Sequence, residues 1–338
     1  MRVGRNPYNK KELASSALHR IITAVFIPDL DDPYFKQSLE VLKMSLDSLS
    51  KTRHDRALLT VVNNGSCSAV TDYLQQLFVA GVIDQLVHHR TNLGKIDAVV
   101  PIAKSCQEPL ITITDSDVLF LGGWMQAVET VFAKIPQAGM VSPVPHGTTF
   151  ANHTVNTLFD AFFQRKLGFR SAANPEAMLK FAESIGQSES MYKNELRLKY
   201  QMTVKAKDCT AVVGCGHFVA TYRNEVFKNS PNTWSRLAYA PEADRDYLDI
   251  PVERSKLWRL ATTQNFAYHM GNTPLEWMES ELDGIKPTKV DAIAPLPIRR
   301  WSLIPFGLKK MVIRLLLSKY FRATWFRFLG LKEGANRY

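Results

Sequence analysis

An alternation of short apolar runs with helical stripes is the feature that most constrains the fold of this chain. The apolar runs are residues 21–28, 57–62, 82–87 and 110–114. Between them, apolar residues recur at three- and four-residue spacing, as on one face of a helix. Such alternation is typical of a mostly parallel sheet covered by helices, so we predict an α/β fold.

Polar clusters follow three of these predicted strands. They are Pro28-Asp29, Asn63-Asn64-Gly65-Ser66 and Asp115-Ser116-Asp117. In sheets of this kind, ligands bind beyond the carboxyl ends of the strands. Because the three clusters lie at the same edge, the sequence predicts one binding site there.

Asp115 and Asp117 follow a buried strand directly and lie two residues apart. Two such carboxylates repel each other by about 1 kcal/mol in water and by several at a protein surface. Lys and Arg are scarce nearby in the sequence, so a divalent metal is the favoured compensation. Oxygen ligands suit Mg²⁺ or Mn²⁺ bridging to a substrate diphosphate. The alternative is a solvated turn whose aspartates cap the next helix.

Composition sets the broad class of the protein. The chain has 338 residues, of which 46% are hydrophobic and 22% charged, as in soluble α/β proteins that bury one large core. Its four cysteines form no CxxC pair, which favours reduced thiols in a cytosolic protein. No run approaches the roughly 18–20 apolar residues that a membrane-spanning helix requires.

The order of several short motifs resembles a known family. The motifs are IITAVFIP, VVNNGS, NLGK, ITITDSDVLFLGGW and VVGCGHFVATYRNEVF. Together they resemble the inverting nucleotide-sugar glycosyltransferases of the family 2 type, which have the GT-A fold, over residues 21–272. The resemblance implies a nucleotide-diphosphate sugar donor, a divalent metal (Mn²⁺ or Mg²⁺) at the DxD, and single displacement at the anomeric carbon.

The resemblance also implies roles on the donor side. It assigns donor contacts to Pro28, Asp29, Asn64, Gly65, Asn92, Lys95, Asp115 and Ser116. Among these, Asn64 would face the nucleobase, with uridine as the first expectation, and Lys95 would meet a phosphate. Asp117 would bind the metal together with Asp115 and His269. The alternatives are a solvated loop lysine at Lys95 and a structural histidine at His269.

On the acceptor side, the resemblance points to two segments. Gly214, Gly216 and His217 match a glycine-rich stretch that lets backbone approach the sugar. The acidic stretch APEADRDYLDIP, residues 240–251, matches the segment that supplies the catalytic base. An inverting transfer needs one carboxylate to take the proton of the acceptor hydroxyl. We expect Asp244 in that role, with Glu242 second and Asp246 third.

The positive charge is concentrated in a basic, aromatic-rich tail. Residues 299–338 contain ten Lys or Arg and one acid, whereas the rest of the chain is almost neutral. We favour contact of residues 299–330 with an anionic membrane surface. Packing on the body of the protein remains open, and nucleic acid is disfavoured because no nucleic-acid fold signature accompanies the tail. Its charges do not segregate on one continuous helix, although a break near Ser318 would give two shorter ones.

These observations predict a GT-A-like domain in residues 1–280 and a helical extension in 281–338. Residues 150–208 are expected to be a helical insertion that covers the acceptor side. The predicted function is transfer of a sugar to a glycan or lipid-linked acceptor in bacterial-type cell-surface polysaccharide or lipopolysaccharide synthesis, at the inner face of the cytoplasmic membrane. A non-catalytic binding protein is the alternative. A sugar-nucleotide pyrophosphorylase is disfavoured, because the stretch IPDLDDPYFKQ lacks a glycine-rich phosphate loop.

Overall fold

The computed structural model describes residues 3–5, 17–237, 240–286, 291–294, 296–301 and 303–338, so parts of both predicted domain ranges lie outside the described residues. The strands are β1 (His19–Val25), β2 (Ala57–Asn64), β3 (Gln85–His89), β4 (Leu110–Thr114), β5 (Val118–Phe120), β6 (Ala138–Ser142), β7 (Leu167–Ser171), β8 (Tyr200–Ala206), β9 (Cys209–Val213), β10 (Val219–Arg223), β11 (Trp258–Ala261) and β12 (Ala267–His269). The helices are α1 (Ser38–Thr52), α2 (Ser68–Val79), α3 (Lys95–Ser105), α4 (Trp124–Lys134), α5 (Val155–Phe163), α6 (Pro175–Ser184), α7 (Leu196–Lys199), α8 (Pro241–Asp244), α9 (Ile250–Arg254), α10 (Glu276–Gly284), α11 (Phe306–Leu316) and α12 (Arg322–Phe328).

Ten strands form one central sheet in the order β3-β2-β1-β4-β10-β6-β11-β9-β8-β7. The first four are parallel. β10 then runs antiparallel between β4 and β6, and β9, β8 and β7 continue the sheet as an antiparallel extension. The predicted α/β fold, with a parallel core covered by helices, is confirmed, and the second half of the sheet is mixed.

The parallel strands β1, β2 and β4 are largely apolar because both faces of the sheet are covered there, whereas the edge strand β3 is partly exposed. Successive side chains point to opposite faces. Ile21 and Val25 therefore join the core on one side, whereas Ile22 and Val62 join the core on the other.

The third strand lies slightly later than predicted. The backbone N–H groups of Val82 and Ile83 both donate to the carbonyl oxygen of Leu77, which closes the end of α2. The strand therefore begins after these residues, as β3, and pairs with β2.

The prediction that residues 150–208 are helical is wrong in part. The segment contains α5, α6 and the short α7, but also β7 and β8, which pair with each other at the sheet edge. The order of residues in β8 is that of a strand, since apolar Met202, Val204 and Ala206 alternate with polar Thr203 and Lys205. The charged stretch before it is helical only over Leu196–Lys199.

The basic tail packs on the body through one of its sides. It forms two helices, α11 and α12, with a break at residues 317–321, as the sequence suggested. Trp325, Phe326 and Tyr338 are buried, and the ring of Phe326 packs edge-on against Phe150. Among the described residues, no helix is long and apolar enough to span a membrane.

Lys309 is a tail residue whose charge is buried rather than exposed. Its ammonium donates to Asp160 at 2.7 Å and to Asn156 at 3.1 Å, and both charged side chains are almost inaccessible. Lys309 therefore does not contribute to the exposed positive charge of the tail. This pair attaches α11 to α5.

Replacing Lys309 by methionine is expected to destabilise the protein by about 3–5 kcal/mol, because Asp160 would keep a buried, unpaired charge. The double change Lys309→Met with Asp160→Asn should cost less than the single one. Urea unfolding followed by circular dichroism measures both, with exposed Lys310→Met as a control within about 0.5 kcal/mol of wild type. A single variant as stable as the control would contradict the structural role.

Candidate active site

The two aspartates of the DxD meet His269 at the carboxyl end of β4. The chain turns there from β4 into β5, and β5 pairs with β12 so that Val118 lies opposite His269. This short ribbon brings Nε2 of His269 to 3.4 Å from Oδ2 of Asp117. The ligand atoms of Asp115, Asp117 and His269 all lie within 4.8 Å of one another.

Asp117 has one carboxylate oxygen whose hydrogen-bonding capacity is not satisfied by the described residues. Its Oδ1 is buried and has no hydrogen-bond partner among the described residues. Burial raises the pKa of Asp117 to about 6, with a further increase from Asp115 and an opposing effect from His269. A buried carboxylate oxygen without a donor fits a divalent cation held by two carboxylates and an imidazole.

Ser184 fixes the orientation of His269. Its hydroxyl lies 3.0 Å from Nδ1 of the imidazole, and when that nitrogen carries the proton, Nε2 is left with a free lone pair facing Asp117. The ring also packs edge-on against Phe218 at 5.4 Å. The predicted insertion thus contributes a contact to His269 beside the DxD, because Ser184 ends α6.

Lys95, the first residue of α3, links the DxD to the glycine-rich segment before β10. Its ammonium forms an ion pair with Asp115 and donates to the carbonyl oxygen of His217 at 3.4 Å. Burial works against its charge, but Asp115 and Asp244 more than compensate, so the pKa of Lys95 is raised. Lys95 is therefore a cation at the DxD, as a phosphate contact requires.

Asn64 holds the loop before α3. Its Nδ2 donates to Oδ1 of Asn92 at 2.8 Å, and its Oδ1 accepts from the backbone N–H of Leu93 at 3.1 Å. A Cβ on Gly65, which has φ +87°, would lie 2.9 Å from the backbone of Thr91. A direct contact between Asn64 and a nucleobase would have to displace these bonds.

The other residues that were predicted to contact the donor are accessible to solvent. Pro28 and Asp29 are exposed beyond β1, where Asp29 accepts from the N–H of Asp31 at 2.9 Å. Ser116 is half-buried in the DxD turn.

Of the three carboxylates considered as the base, one lies at the site and two lie outside it. Asp244 ends α8 and is half-buried; burial raises its pKa, while Lys95 and His217 oppose the rise. Glu242 is exposed. Asp246 forms an exposed ion pair with Arg245 at 2.7 Å. Of the three, Asp244 is thus the one that interacts with Lys95 and the DxD.

A buried ion pair orients His217. A π-helical turn, Arg245–Asp249, follows α8 and carries Asp249 inward. Oδ1 of Asp249 lies 2.8 Å from Nε2 of His217 and 2.7 Å from Nη2 of Arg259. Burial would raise the pKa of Asp249, but Arg259 and His217 lower it on balance. Asp249 is therefore a carboxylate that holds the half-exposed imidazole in one orientation.

The two glycines of this segment have different surroundings. Gly214 has φ +103°, and a Cβ there would lie 2.4 Å from Oγ1 of Thr149, so tight packing explains it without a sugar. At Gly216, a Cβ would have no neighbour closer than Phe218 at 3.9 Å.

Two residues of this arrangement, Ser184 and Arg259, were not identified from the sequence. Asp249 lies in the acidic stretch 240–251 that the sequence pointed to, but its ion pair with Arg259 was not expected. Arg259 carried a usable signal, since it is a charge inside the otherwise apolar strand β11. Ser184 carried none, because its contact with His269 spans 85 residues of chain.

A second cluster of possible metal ligands lies within the core. His19 and His54 both contact Oε1 of Glu129, at 3.0 and 2.9 Å, and Oε2 of Glu129 accepts from the N–H of Ile293. All three side chains are buried. Because they bond to one another, they link β1, α4 and residues 291–294 as a structural network.

The chain resembles known proteins in its fold but not detectably in its sequence. No protein-family model and no curated protein matches the chain. Among solved structures, the mannosyltransferase PcManGT from Pyrobaculum calidifontis, in complex with GDP-Man and Mn²⁺, is 15% identical over 76% of this chain, with a TM-score of 0.40. S. aureus TarS in complex with UDP is 11% identical over 90% of this chain and 71% of its own, with a TM-score of 0.46. The chain spans 59% of the length of the mannosyltransferase. Likeness at this level identifies neither a family nor an activity.

Proposed function

We propose that this protein is a metal-dependent glycosyltransferase that uses a nucleotide-diphosphate sugar, with a UDP-sugar as the first expectation. The observation that carries the proposal is the buried, unpartnered Oδ1 of Asp117 beside Asp115 and His269, at the carboxyl end of a parallel strand. Asp117, Asp115 and His269 would hold Mn²⁺ or Mg²⁺. When bound, the metal supplies positive charge that stabilises the departing diphosphate.

The protein's own residues supply binding and proton transfer. Lys95 binds a phosphate oxygen with its ammonium. The oxygen of an acceptor hydroxyl forms the new bond to the anomeric carbon as the bond from that carbon to the diphosphate oxygen breaks, which inverts the configuration. Asp244 takes the hydroxyl proton, a role that its interactions with Lys95 and His217 support. His217, oriented by Asp249, faces the acceptor, which we propose is a glycan or lipid-linked glycan of a cell-surface polysaccharide.

Turnover of donor alone tests this proposal, because water can replace the acceptor. The protein is incubated with a panel of nucleotide sugars, with Mn²⁺ and with a chelator, and the released nucleoside diphosphate is measured. Release from one donor that requires the metal supports the proposal. Metal-independent release contradicts the metal requirement, whereas tight binding of a donor that is never turned over favours the non-catalytic alternative.

We also propose that the outer side of α11 contacts an anionic membrane at its cytoplasmic face. The inner side of this helix packs on α5, but Leu308, Met311 and Leu315 are exposed, the last two by 61% and 54%. At 100° per residue these three fall within about 60° of one another. Exposed Lys310 and Arg314 lie beside them. An apolar stripe next to basic residues is suited to an interface of lipid headgroups and acyl chains.

Glutamate at both Met311 and Leu315 is expected to lower binding to phosphatidylglycerol vesicles at least about tenfold, because two inserted side chains are lost. The control is Val79→Glu, an apolar residue at the end of α2 that is 77% exposed and lies outside the tail. Flotation with vesicles of phosphatidylglycerol or phosphatidylcholine measures the effect. Deleting the tail would be a poor test, because Trp325, Phe326 and Tyr338 belong to the core. Equal flotation of the double variant and the control would contradict a membrane role.

A further inference from the structure

An exposed tryptophan faces a cavity beside the loop that precedes α3. The cavity has a volume of about 340 Å³ and is lined by Asn92, Leu93, Asp97, Trp234 and Arg236. Trp234 is 59% exposed, although an indole of this size normally gains stability by burial. An exposed ring at the wall of a cavity therefore points to a ligand that covers it.

Two charged residues of α3 fix the segment that carries this tryptophan. Asp97 is buried and accepts from the N–H of Ser235 at 2.8 Å, from its hydroxyl at 3.0 Å and from the N–H of Arg236 at 2.9 Å. Seven residues later, Lys104 donates to the carbonyl oxygens of Ser230 and Pro231 at 3.2 and 2.6 Å. Because residues seven apart lie on one helix face, the two side chains hold the segment along α3.

The turn at Arg236 has a backbone conformation of high energy. Arg236 has φ +57°, a left-handed conformation that side-chain-bearing residues adopt rarely. A buried carboxylate is tolerated only when several donors satisfy it, as they do at Asp97. A strained turn and a buried charge therefore hold Trp234 at the cavity.

The cavity adjoins the proposed donor site. Leu93 and Asn92 lie two and three residues before Lys95, and consecutive Cα atoms are about 3.8 Å apart, so this wall is within about 12 Å of the Lys95 Cα. Lys95 contacts Asp115, and Asn92 is anchored by Asn64 at the end of β2. A nucleotide whose diphosphate meets Lys95 can therefore extend its base along this loop.

We propose that Trp234 stacks on the nucleobase of the donor and that Asp97 is the positioning residue that holds it there. This inference rests on the proposed function. Stacking on an aromatic ring is available to every base, so Trp234 contributes affinity rather than base selection. The side-chain amide N–H₂ of Asn92 has no acceptor among the described residues, and it can donate to a carbonyl oxygen of the base. The loop that Asn64 holds in place thus lines the same cavity as Trp234.

Calorimetric titration of UDP in the presence of Mn²⁺ tests the role of Trp234. Trp234→Ala is expected to weaken UDP binding by about 5- to 150-fold, the range for loss of one stacked base. Trp234→Phe keeps an aromatic face and should stay within about threefold of wild type. Inorganic pyrophosphate with Mn²⁺ should bind wild type and Trp234→Ala equally, because it has no base. Asp97→Asn should weaken UDP binding but not pyrophosphate binding.

The outcomes separate this inference from the proposed function. If wild type binds UDP with Mn²⁺ and Trp234→Ala binds it equally well, the stacking role is wrong while the transferase proposal stands. Equal weakening of UDP and pyrophosphate would also overturn it, since that result indicates a general distortion of the site. If wild type binds no nucleoside diphosphate with Mn²⁺, the proposed function fails and the stacking role fails with it.

Discussion

Replacing Asp117 by asparagine is expected to remove the Mn²⁺-dependent part of nucleotide binding and to lower donor turnover by at least about 100-fold. Changes around a metal ligand already cost about 10- to 100-fold, and Asp117 is proposed as a direct ligand. An amide keeps one acceptor oxygen but loses the charge that balances a divalent cation.

The stability of the same variant provides an independent readout. Burial raises the pKa of Asp117 to about 6, which means that its ionised form is unfavourable in the folded protein without a cation. Asparagine removes that charge, so the metal-free variant should unfold at the same denaturant concentration as wild type or a higher one. The exposed change Asp208→Asn is the control and should alter neither property. Loss of stability together with activity would indicate that Asp117 is a structural residue.

Replacing Asp244 by asparagine is expected to lower turnover by about 10²- to 10⁴-fold, the usual contribution of a general base. Binding of nucleotide with Mn²⁺ should be unchanged, because Asp244 is not among the proposed metal ligands. The base acts in its unprotonated form, and burial raises the pKa of Asp244. Wild-type activity should therefore fall on the acid side at a pH above the ordinary range of aspartate.

Glu242→Gln and Asp246→Asn are the matched controls for Asp244. Glu242 is exposed, and Asp246 is paired with Arg245 at the surface. Both variants should keep turnover within about threefold of wild type, a change of less than 1 kcal/mol in the barrier. A larger loss in either control than in Asp244→Asn would assign the base to a different carboxylate.

The parallel half of the fold could be predicted because its signals are local. Strands β1, β2 and β4 are largely apolar runs, the helices between the strands show apolar stripes, and the polar clusters follow the strands directly. The less apolar edge strand β3 is the one that the sequence placed too early. The DxD lies where that reasoning expected it, at the end of β4. These features depend on chain periodicity and on the rule that ligands bind beyond the carboxyl ends of parallel strands.

The features that could not be predicted depend on distant parts of the chain. The ribbon of β5 and β12 is three residues long in each strand, too short for a pattern, yet it brings His269 to Asp117. The strands within residues 150–208 form by pairing with each other at the sheet edge. Lys309 looks like any other basic residue of the tail, and only the packing of α11 on α5 buries it against Asp160.

Calorimetric titration of wild-type protein with a panel of nucleoside diphosphates, with and without Mn²⁺, tests the central claim most directly. We predict that one nucleoside diphosphate, UDP first, binds with Mn²⁺, and that this binding disappears without the metal and in Asp117→Asn. If no nucleoside diphosphate binds, or if binding is the same without Mn²⁺ and in Asp117→Asn, then Asp115, Asp117 and His269 do not form a metal-dependent donor site.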